Sequence, residues 1–430
     1  MSSLKPTKPL SGFIELLPAQ QRCFDECARR MQGVLRLAGF ARLDLPAIER
    51  AEVLTDKDNW DEIETQMFLF EKGDTKMGLR YDGTIGLARY VAGHLNDLAF
   101  PFRAYQFARN YRGERPQKGR YREFYQMDLD ILGIGGLSLN YDAEIVATLS
   151  RAYESIREFV GPTVVRVGSR PFWNAMFKWL KLDADTARRA FVMIDKKNKL
   201  GDTFEDALSD ELGRKITDEI TGVFSKGYKA YLNKNINLDK AIRDMDDFLV
   251  QLAAMGIKNA DIDLSIMRGH AYYTGIVFEF FLERFPELDA VGGGGRYENL
   301  VGKFSKTEIV GVGAAVGFSR MMVALLGDGK INLAQFDNPV DVAVLVMGQK
   351  QVPFAMSVAT QLRDAGIVAM TYLDTDKKFK SHIEFADKIK CKFSIIIGED
   401  EVNDKLVMVK NMTTGAQKKM ALRDAIKGMK

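Results

Sequence analysis

Cysteine and histidine are scarce in this chain of 430 residues, with three of each. Three cysteines cannot build a disulfide framework. Cys23 and Cys27 lie one helical turn apart, Cys391 is far away in sequence, and no Cys-x-x-Cys pair occurs. His94, His270 and His382 are widely scattered. This argues against a structural zinc site, which needs clustered sulfur and imidazole ligands, and no resident metal is expected. Long hydrophobic runs are also missing, since no stretch of about 18 apolar residues is there to span a bilayer. The opening Met1-Ser2-Ser3-Leu4-Lys5-Pro6-Thr7-Lys8 lacks the apolar core of a signal peptide. Nor is there an excess of one charge: 61 basic residues against 58 acidic ones leave +3. A nucleic-acid site would have to be a local patch, because no global field announces one. The expectation is a soluble protein of a reducing cytoplasm.

What is present is globular. Hydrophobic residues make up 46% and charged residues 28%, enough for a sizeable core. At roughly 100–200 residues per domain, two or three domains are expected. Pro18 opens a helical pattern in which Cys23, Cys27, Met31, Val34 and Ala38 recur at spacings of three and four, and Gly39 closes it. A short strand is expected over 42–46. Two strand-like runs between 105 and 131 flank a basic, Gly/Pro-punctuated loop at 113–120, the pattern of a long hairpin. Residues 141–159 read as a helix and 163–167 as a strand. From 171 to 255 the texture is helical, rich in Lys, Asp, Ala and Leu, and reads as an insertion. Strands return at 262–264, 274–281 and 309–316, with a glycine block between the last two and a helix at 318–326. A polar, turn-rich stretch at 327–339 reads as a linker. Beyond it, strands at 340–347, 367–373 and 393–397 alternate with helices at 354–365 and 381–389, the pattern of a small α/β domain with a largely parallel core.

The hairpin's second strand is the most informative segment. Alternate side chains share a face, so Arg122, Phe124, Gln126, Asp128 and Asp130 point one way. Met127, Leu129 and Ile131 point the other way and can pack on a core. One reading is a half-exposed sheet with a solvated face. The other is a substrate platform, with Phe124 stacking on a planar ring while Gln126 and Asp130 hydrogen-bond a polar substrate. Arg112, Arg115, Arg120 and Arg122 bracket the turn, and clustered guanidinium groups match phosphate oxygens through paired contacts.

The segment Tyr111-Arg112-Gly113-Glu114-Arg115-Pro116-Gln117-Lys118-Gly119-Arg120-Tyr121-Arg122-Glu123-Phe124, with Gln126 and Asp130 beyond it, resembles motif 2 of the class II aminoacyl-tRNA synthetases, and in detail that of the histidyl-tRNA synthetase family. Residues 12–18, the helix after them and the strand ending at Pro46 resemble motif 1. Gly313-Ala314-Ala315-Val316-Gly317-Phe318-Ser319-Arg320 resembles motif 3, and Arg268-Gly269-His270-Ala271-Tyr272-Tyr273-Thr274-Gly275 resembles the family's histidine-specific signature. The C-terminal pattern resembles its anticodon-binding domain.

The resemblance implies a division of labour. Activation of histidine joins its carboxylate to the α-phosphate of ATP and expels pyrophosphate, so cations are needed where phosphoryl charge moves. Arg112 and Arg268 would act at the α-phosphate, and Arg320 would hold the γ-phosphate near a helix start. Glu114, Arg120 and Phe124 would complete the ATP site, with Phe124 on adenine and magnesium as the counter-ion of the nucleotide. Asp82, Thr84 and Gln126 would receive the histidine ammonium. Asp130 and Tyr273 would serve the two imidazole nitrogens, with Tyr272 and Tyr297 also in the pocket. Arg115, Gln117 and Lys118 would enter the tRNA acceptor stem. Lys377, Lys378, Lys380, Lys388, Lys390 and Lys392 form a basic run, either a solvated helix face or a phosphate-contacting patch. Two departures from the family pattern are His270-Ala271, where members usually carry Leu-Asp, and Asp82 and Asp130, where many bacterial relatives have glutamate.

The expected fold is an α+β catalytic core over 1–330, an antiparallel sheet flanked by helices. It carries a helical insertion at 171–255 and is followed by an α/β anticodon-binding domain at 339–430. The expected activity is ligation of histidine to its tRNA by a homodimer. Two rivals stay open: a non-catalytic paralogue resembling the regulatory subunit of ATP phosphoribosyltransferase, and an RNA-sensing module. Either would be expected to have lost phosphate-binding arginines, and Arg112, Arg268 and Arg320 are all present.

Overall fold

The computed structural model describes residues 5–55, 65–117, 119–267, 273–298, 301–337 and 340–429. The chain forms two compact units: Phe24–Ile331 with the segment ending at Glu15, and Asn332–Lys430 with Leu16–Cys23.

The strands of the first unit are β1 (Ala41–Arg42), β2 (Ile48–Arg50), β3 (Leu69–Lys72), β4 (Thr75–Leu79), β5 (Phe102–Tyr111), β6 (Glu123–Ile134), β7 (Thr163–Ser169), β8 (Ala260–Ile262), β9 (Tyr273–Leu282), β10 (Ala290–Tyr297) and β11 (Ile309–Val316). Eight of them form one sheet in the order β1-β5-β6-β11-β10-β9-β7-β8, and β2, β4 and β3 form a small one. The large sheet is antiparallel from β5 to β7. Its two edges are parallel, where β1 joins β5 and β8 joins β7. This is the expected α+β core, with differences in detail: the glycine block is itself strand β10, and the small β2-β4-β3 sheet was not expected. The strand expected at 42–46 is confined to Ala41–Arg42, because Pro46 lacks the N–H that a longer ladder would use. The strand expected at 262–264 ends at Ile262.

The alternation in β6 divides as the sequence suggests. Met127, Leu129 and Ile131 are fully buried. Gln126, Asp128 and Asp130 face a cavity on the other side. The helix Asn140–Glu154 packs against β6 and β11, burying Ile145, Val146, Leu149 and Tyr153. Between β7 and β8, helices from Arg170–Trp179 to Ile236–Ala254 enclose a core of their own around Trp173, Phe177, Ile220, Leu238 and Met245. Ser169 starts this segment by accepting a hydrogen bond from the Phe172 N–H at 3.2 Å.

The second unit contains β12 (Val342–Val346), β13 (Ala369–Tyr372), β14 (Phe393–Ile397), β15 (Val407–Asn411) and β16 (Gln417–Met420). Its sheet runs β13-β12-β14-β15-β16, parallel across the first three strands and antiparallel at β15 and β16. The antiparallel hairpin is absent from the sequence reading. Its strands are short, and β16 is mostly polar, so they carry little hydrophobic periodicity. Of the lysines in the basic run, Lys390 bonds Asp337 at 2.7 Å and Lys392 bonds Asp341 at 2.8 Å. Those two are engaged in ion pairs within their own unit. No helix among the described residues is long and apolar enough to cross a membrane.

Candidate active site

A cavity of about 350 Å³ opens on the face of the large sheet, floored by β6, β9, β10 and β11. Most of the residues singled out in the sequence converge on it. Asp82, Thr84, Arg112, Glu114, Arg120, Phe124, Gln126, Asp130, Tyr273, Tyr297 and Arg320 all line it. Arg115 and Gln117 lie apart, exposed on the hairpin loop. Lys118, Arg268, His270, Ala271 and Tyr272 lie outside the described residues.

One side of the cavity is cationic. The Arg112 guanidinium lies 4.3 Å from the centre of the Tyr81 ring and 5.2 Å from that of Phe124. Ring faces are electron-rich and attract a cation, so this guanidinium is held largely by aromatic surfaces. Arg320 follows the start of the helix Phe318–Gly327. Burial lowers its pKa, which Asp289 partly offsets and Arg120 reinforces. Gly119 passes over its side chain, with a Cβ position 3.4 Å from the Arg320 Cγ. Arg120 pairs with Glu114 at 3.4 Å.

The other side is acidic. Asp130 accepts a hydrogen bond from the Tyr297 hydroxyl at 2.8 Å. Two glycines of β11 make room for this pair. A Cβ at Gly313 would stand 1.9 Å from Asp130 Oδ1, and one at Gly311 would stand 2.3 Å from the Tyr297 ring. Asp82 precedes the helix Thr84–Gly93, and its Oδ1 accepts from the Thr84 and Ile85 N–H groups at 3.0 and 3.1 Å. Burial raises its pKa, against those hydrogen bonds and the Arg112 charge. Gln126 is oriented by Asn110, a buried residue of β5 whose side-chain amide donates to Gln126 Oε1. Gln126 thus has its amide N–H groups left for the cavity.

Burial pushes the Asp130 carboxyl up to about 7, with the Tyr297 hydrogen bond opposing the rise and the Asp82 charge adding to it. An unfolded aspartate ionises near 3.9. Between those values the folded chain holds a proton that the unfolded chain has lost, so this group's contribution to stability falls as pH rises through that window. Asp130→Asn removes the effect. Its melting temperature should gain on that of the parent chain between about pH 4 and pH 7. A difference that stays constant over that range would mean that Asp130 is ionised throughout.

Three polar cavity residues escaped the sequence reading of the site, Tyr121, Asp128 and Glu279, as did Asn110, which orients Gln126. The alternation on β6 already placed Asp128 on the platform face, so it was within reach. Asn110 and Glu279 carried no local signal, since each meets the site only through strand pairing.

A pocket with arginines on one wall and carboxylates on the other, on an antiparallel sheet flanked by helices, has the architecture of the class II aminoacyl-tRNA synthetases. The solved histidyl-tRNA synthetase from Nostoc sp. PCC 7120 matches with a TM-score of 0.84 and 28% identity, covering 99% of each chain. A family model described as histidyl-tRNA synthetase matches residues 12–325, and one described as anticodon binding domain matches 341–430. The histidine–tRNA ligase of Clostridium tetani is 36% identical over 98% of this chain and 97% of its own length. That of Finegoldia magna is 34% identical over 98% and 99%. The chain belongs to the histidyl-tRNA synthetase family. A structure titled as an ATP phosphoribosyltransferase regulatory subunit/histidyl-tRNA synthetase from Bacillus halodurans C matches at 20% identity with a TM-score of 0.73, a likeness of fold alone.

Proposed function

We infer that this chain is a histidine–tRNA ligase. It joins histidine to ATP as histidyl-adenylate with release of pyrophosphate, then passes the histidyl group to the 3′ end of its tRNA. The observation that carries the reading is the charge pattern of this cavity, in which Arg120 and Arg320 lie near each other, Asp82, Asp128 and Asp130 lie near one another, and Arg112 lies near Asp82. The cationic side suits a triphosphate and the acidic side suits a cationic amino acid.

In this reading the histidine carboxylate oxygen attacks the α-phosphorus, and the bond to the bridging oxygen of pyrophosphate breaks. Arg112 and Arg268 stabilise the charge that builds on the α-phosphate oxygens. Arg320 takes the γ-phosphate and Phe124 the adenine ring, with Glu114 and Arg120 completing the nucleotide site. Magnesium enters as the counter-ion of ATP. Asp82 and Thr84 receive the ammonium, and Gln126 stands beside them. Asp130 has Oδ1 occupied by Tyr297, which leaves Oδ2 for an imidazole N–H. The Tyr273 hydroxyl serves the other ring nitrogen, and Tyr272 is a further histidine-binding residue. A buried pair of this kind rejects apolar side chains, which would leave it unpaired.

Residues 1–330 act as the catalytic core, 171–255 as a helical insertion and 339–430 as the anticodon-binding domain. The exposed loop residues Arg115 and Gln117, with Lys118, meet the acceptor stem. The enzyme works as a cytoplasmic homodimer. Amino-acid-dependent pyrophosphate exchange with a panel of amino acids tests the reading. Exchange with histidine alone is expected, and exchange with none would leave a non-catalytic paralogue or an RNA-binding module in its place.

A further inference from the structure

Resting on the reading of this cavity as the histidine site, we propose that Asp128 is a specificity-determining ligand that receives the α-ammonium of the amino acid together with Asp82 and Thr84. An ammonium offers three N–H donors and accepts nothing. The expected acceptors are already partly committed. Asp82 Oδ1 is occupied by the Thr84 and Ile85 N–H groups, and Gln126 Oε1 is occupied by Asn110. Asp128 is only 4% exposed and lines the same cavity. Among the described residues no side chain or backbone group hydrogen-bonds its carboxylate.

Its position is built by its neighbours. On β5 it faces Gln106, whose side-chain amide donates to the Gly83 carbonyl at 3.0 Å. That bond draws the Gly83 backbone onto Asp128. A Cβ at Gly83 would stand 2.5 Å from Asp128 Oδ2 and 3.1 Å from Gln106 Nε2. The residue between Asp82 and Thr84 therefore has no side chain, and the carboxylate of Asp128 lies directly against it. On β11 it faces Ala315, which is too small to cover it. A buried carboxylate without a partner is costly, and a cationic ligand relieves that cost.

The charged groups around Asp128 are Asp130 on its own strand, Asp82 and Arg80 ahead of the helix Thr84–Gly93, and Arg112 at the end of β5. Burial first, then Asp130 and Asp82, raise its pKa well above the usual carboxylate range, against Arg80 and Arg112.

The test is calorimetric binding to the full chain without ATP, using histidine, histidinol, which keeps the ammonium but lacks the carboxylate, and imidazolepropionate, which lacks the ammonium. Asp128→Asn should weaken histidine and histidinol by roughly 10- to 100-fold, the loss of a charge-assisted contact. It should leave imidazolepropionate unchanged. Gly83→Ala, which keeps the charge but displaces it, should show the same pattern and covers the case in which Asp128→Asn does not fold. Unchanged histidine affinity in both variants would overturn the assignment. An equal loss for all three ligands would overturn it too, by showing a purely structural role. If the parent chain binds no histidine, the reading of the site itself fails, and that result precedes any comparison of variants.

Discussion

Arg112→Ala should lower the single-turnover rate of histidyl-adenylate formation by roughly 10²–10³, the usual loss when one preorganised donor to a developing charge is removed. Histidine affinity should change far less. The separation follows from how the side chain is held. The Arg112 N–H is anchored to the Arg122 carbonyl at 2.9 Å, which fixes the residue at the mouth of the hairpin loop. Its guanidinium is sandwiched between the Tyr81 and Phe124 rings, at 4.3 and 5.2 Å from their centres. Arg112 Nε donates to the Tyr81 carbonyl at 3.4 Å, and ring faces orient a cation without using its N–H donors, so the terminal nitrogens can serve phosphate oxygens. Lysine at this position should recover only part of the rate, because a point charge lacks the planar fork that matches two oxygens. The measurement is rapid-quench formation of the adenylate at saturating histidine and ATP. A loss smaller than about tenfold would remove Arg112 from the reacting phosphate, since it falls below that range.

Gly313→Ala should cost about 1.5–3 kcal/mol of histidine binding, or roughly 10- to 150-fold in affinity. Gly313 faces Asp130 across the β6–β11 ladder. The added methyl would stand 1.9 Å from Asp130 Oδ1, the oxygen that accepts from Tyr297, and 3.2 Å from the Leu129 carbonyl. The backbone carbonyl cannot yield, so the carboxylate must swing away and the hydrogen bond to Tyr297 breaks. Overpacking of this kind also costs the fold roughly 1–3 kcal/mol, so thermal melts must accompany the titrations. Gly311→Ala attacks the same pair from the other side, 2.3 Å from the Tyr297 ring. A folded Gly313→Ala chain that binds histidine as the parent does would detach the Asp130–Tyr297 pair from amino-acid recognition.

Much of the fold was legible along the chain, and the reasons differ from element to element. The helix Pro18–Leu37 announces itself by its apolar spacing and ends before Gly39, whose φ of +81° suits the missing Cβ. The hairpin of β5 and β6 is marked by the punctuation between its strands. The hairpin of β15 and β16 was not legible, because a short polar strand owes its place to its neighbour rather than to its own pattern. The basic run at 377–392 shows the limit of counting charges. Lys390 and Lys392 look like members of one patch, yet each is tied to an aspartate about 50 residues away in sequence.

By itself the sequence determined which side chains of β6 share a face. A strand has a period of two, so Phe124, Gln126, Asp128 and Asp130 had to stand together once the segment was extended. It also determined, through its motifs, that arginines and carboxylates belong to one site. The tertiary structure decided what each of them does there. Only the assembled sheet brings Tyr297 onto Asp130 and Asn110 onto Gln126, and only the Gln106 hydrogen bond to the Gly83 carbonyl holds Gly83 against Asp128. Burial by the folded sheet, with the Asp82 charge brought near, raises Asp130 to about 7. These are consequences of desolvation and of contacts between residues distant in the chain, and neither is a local property of the sequence that produces them.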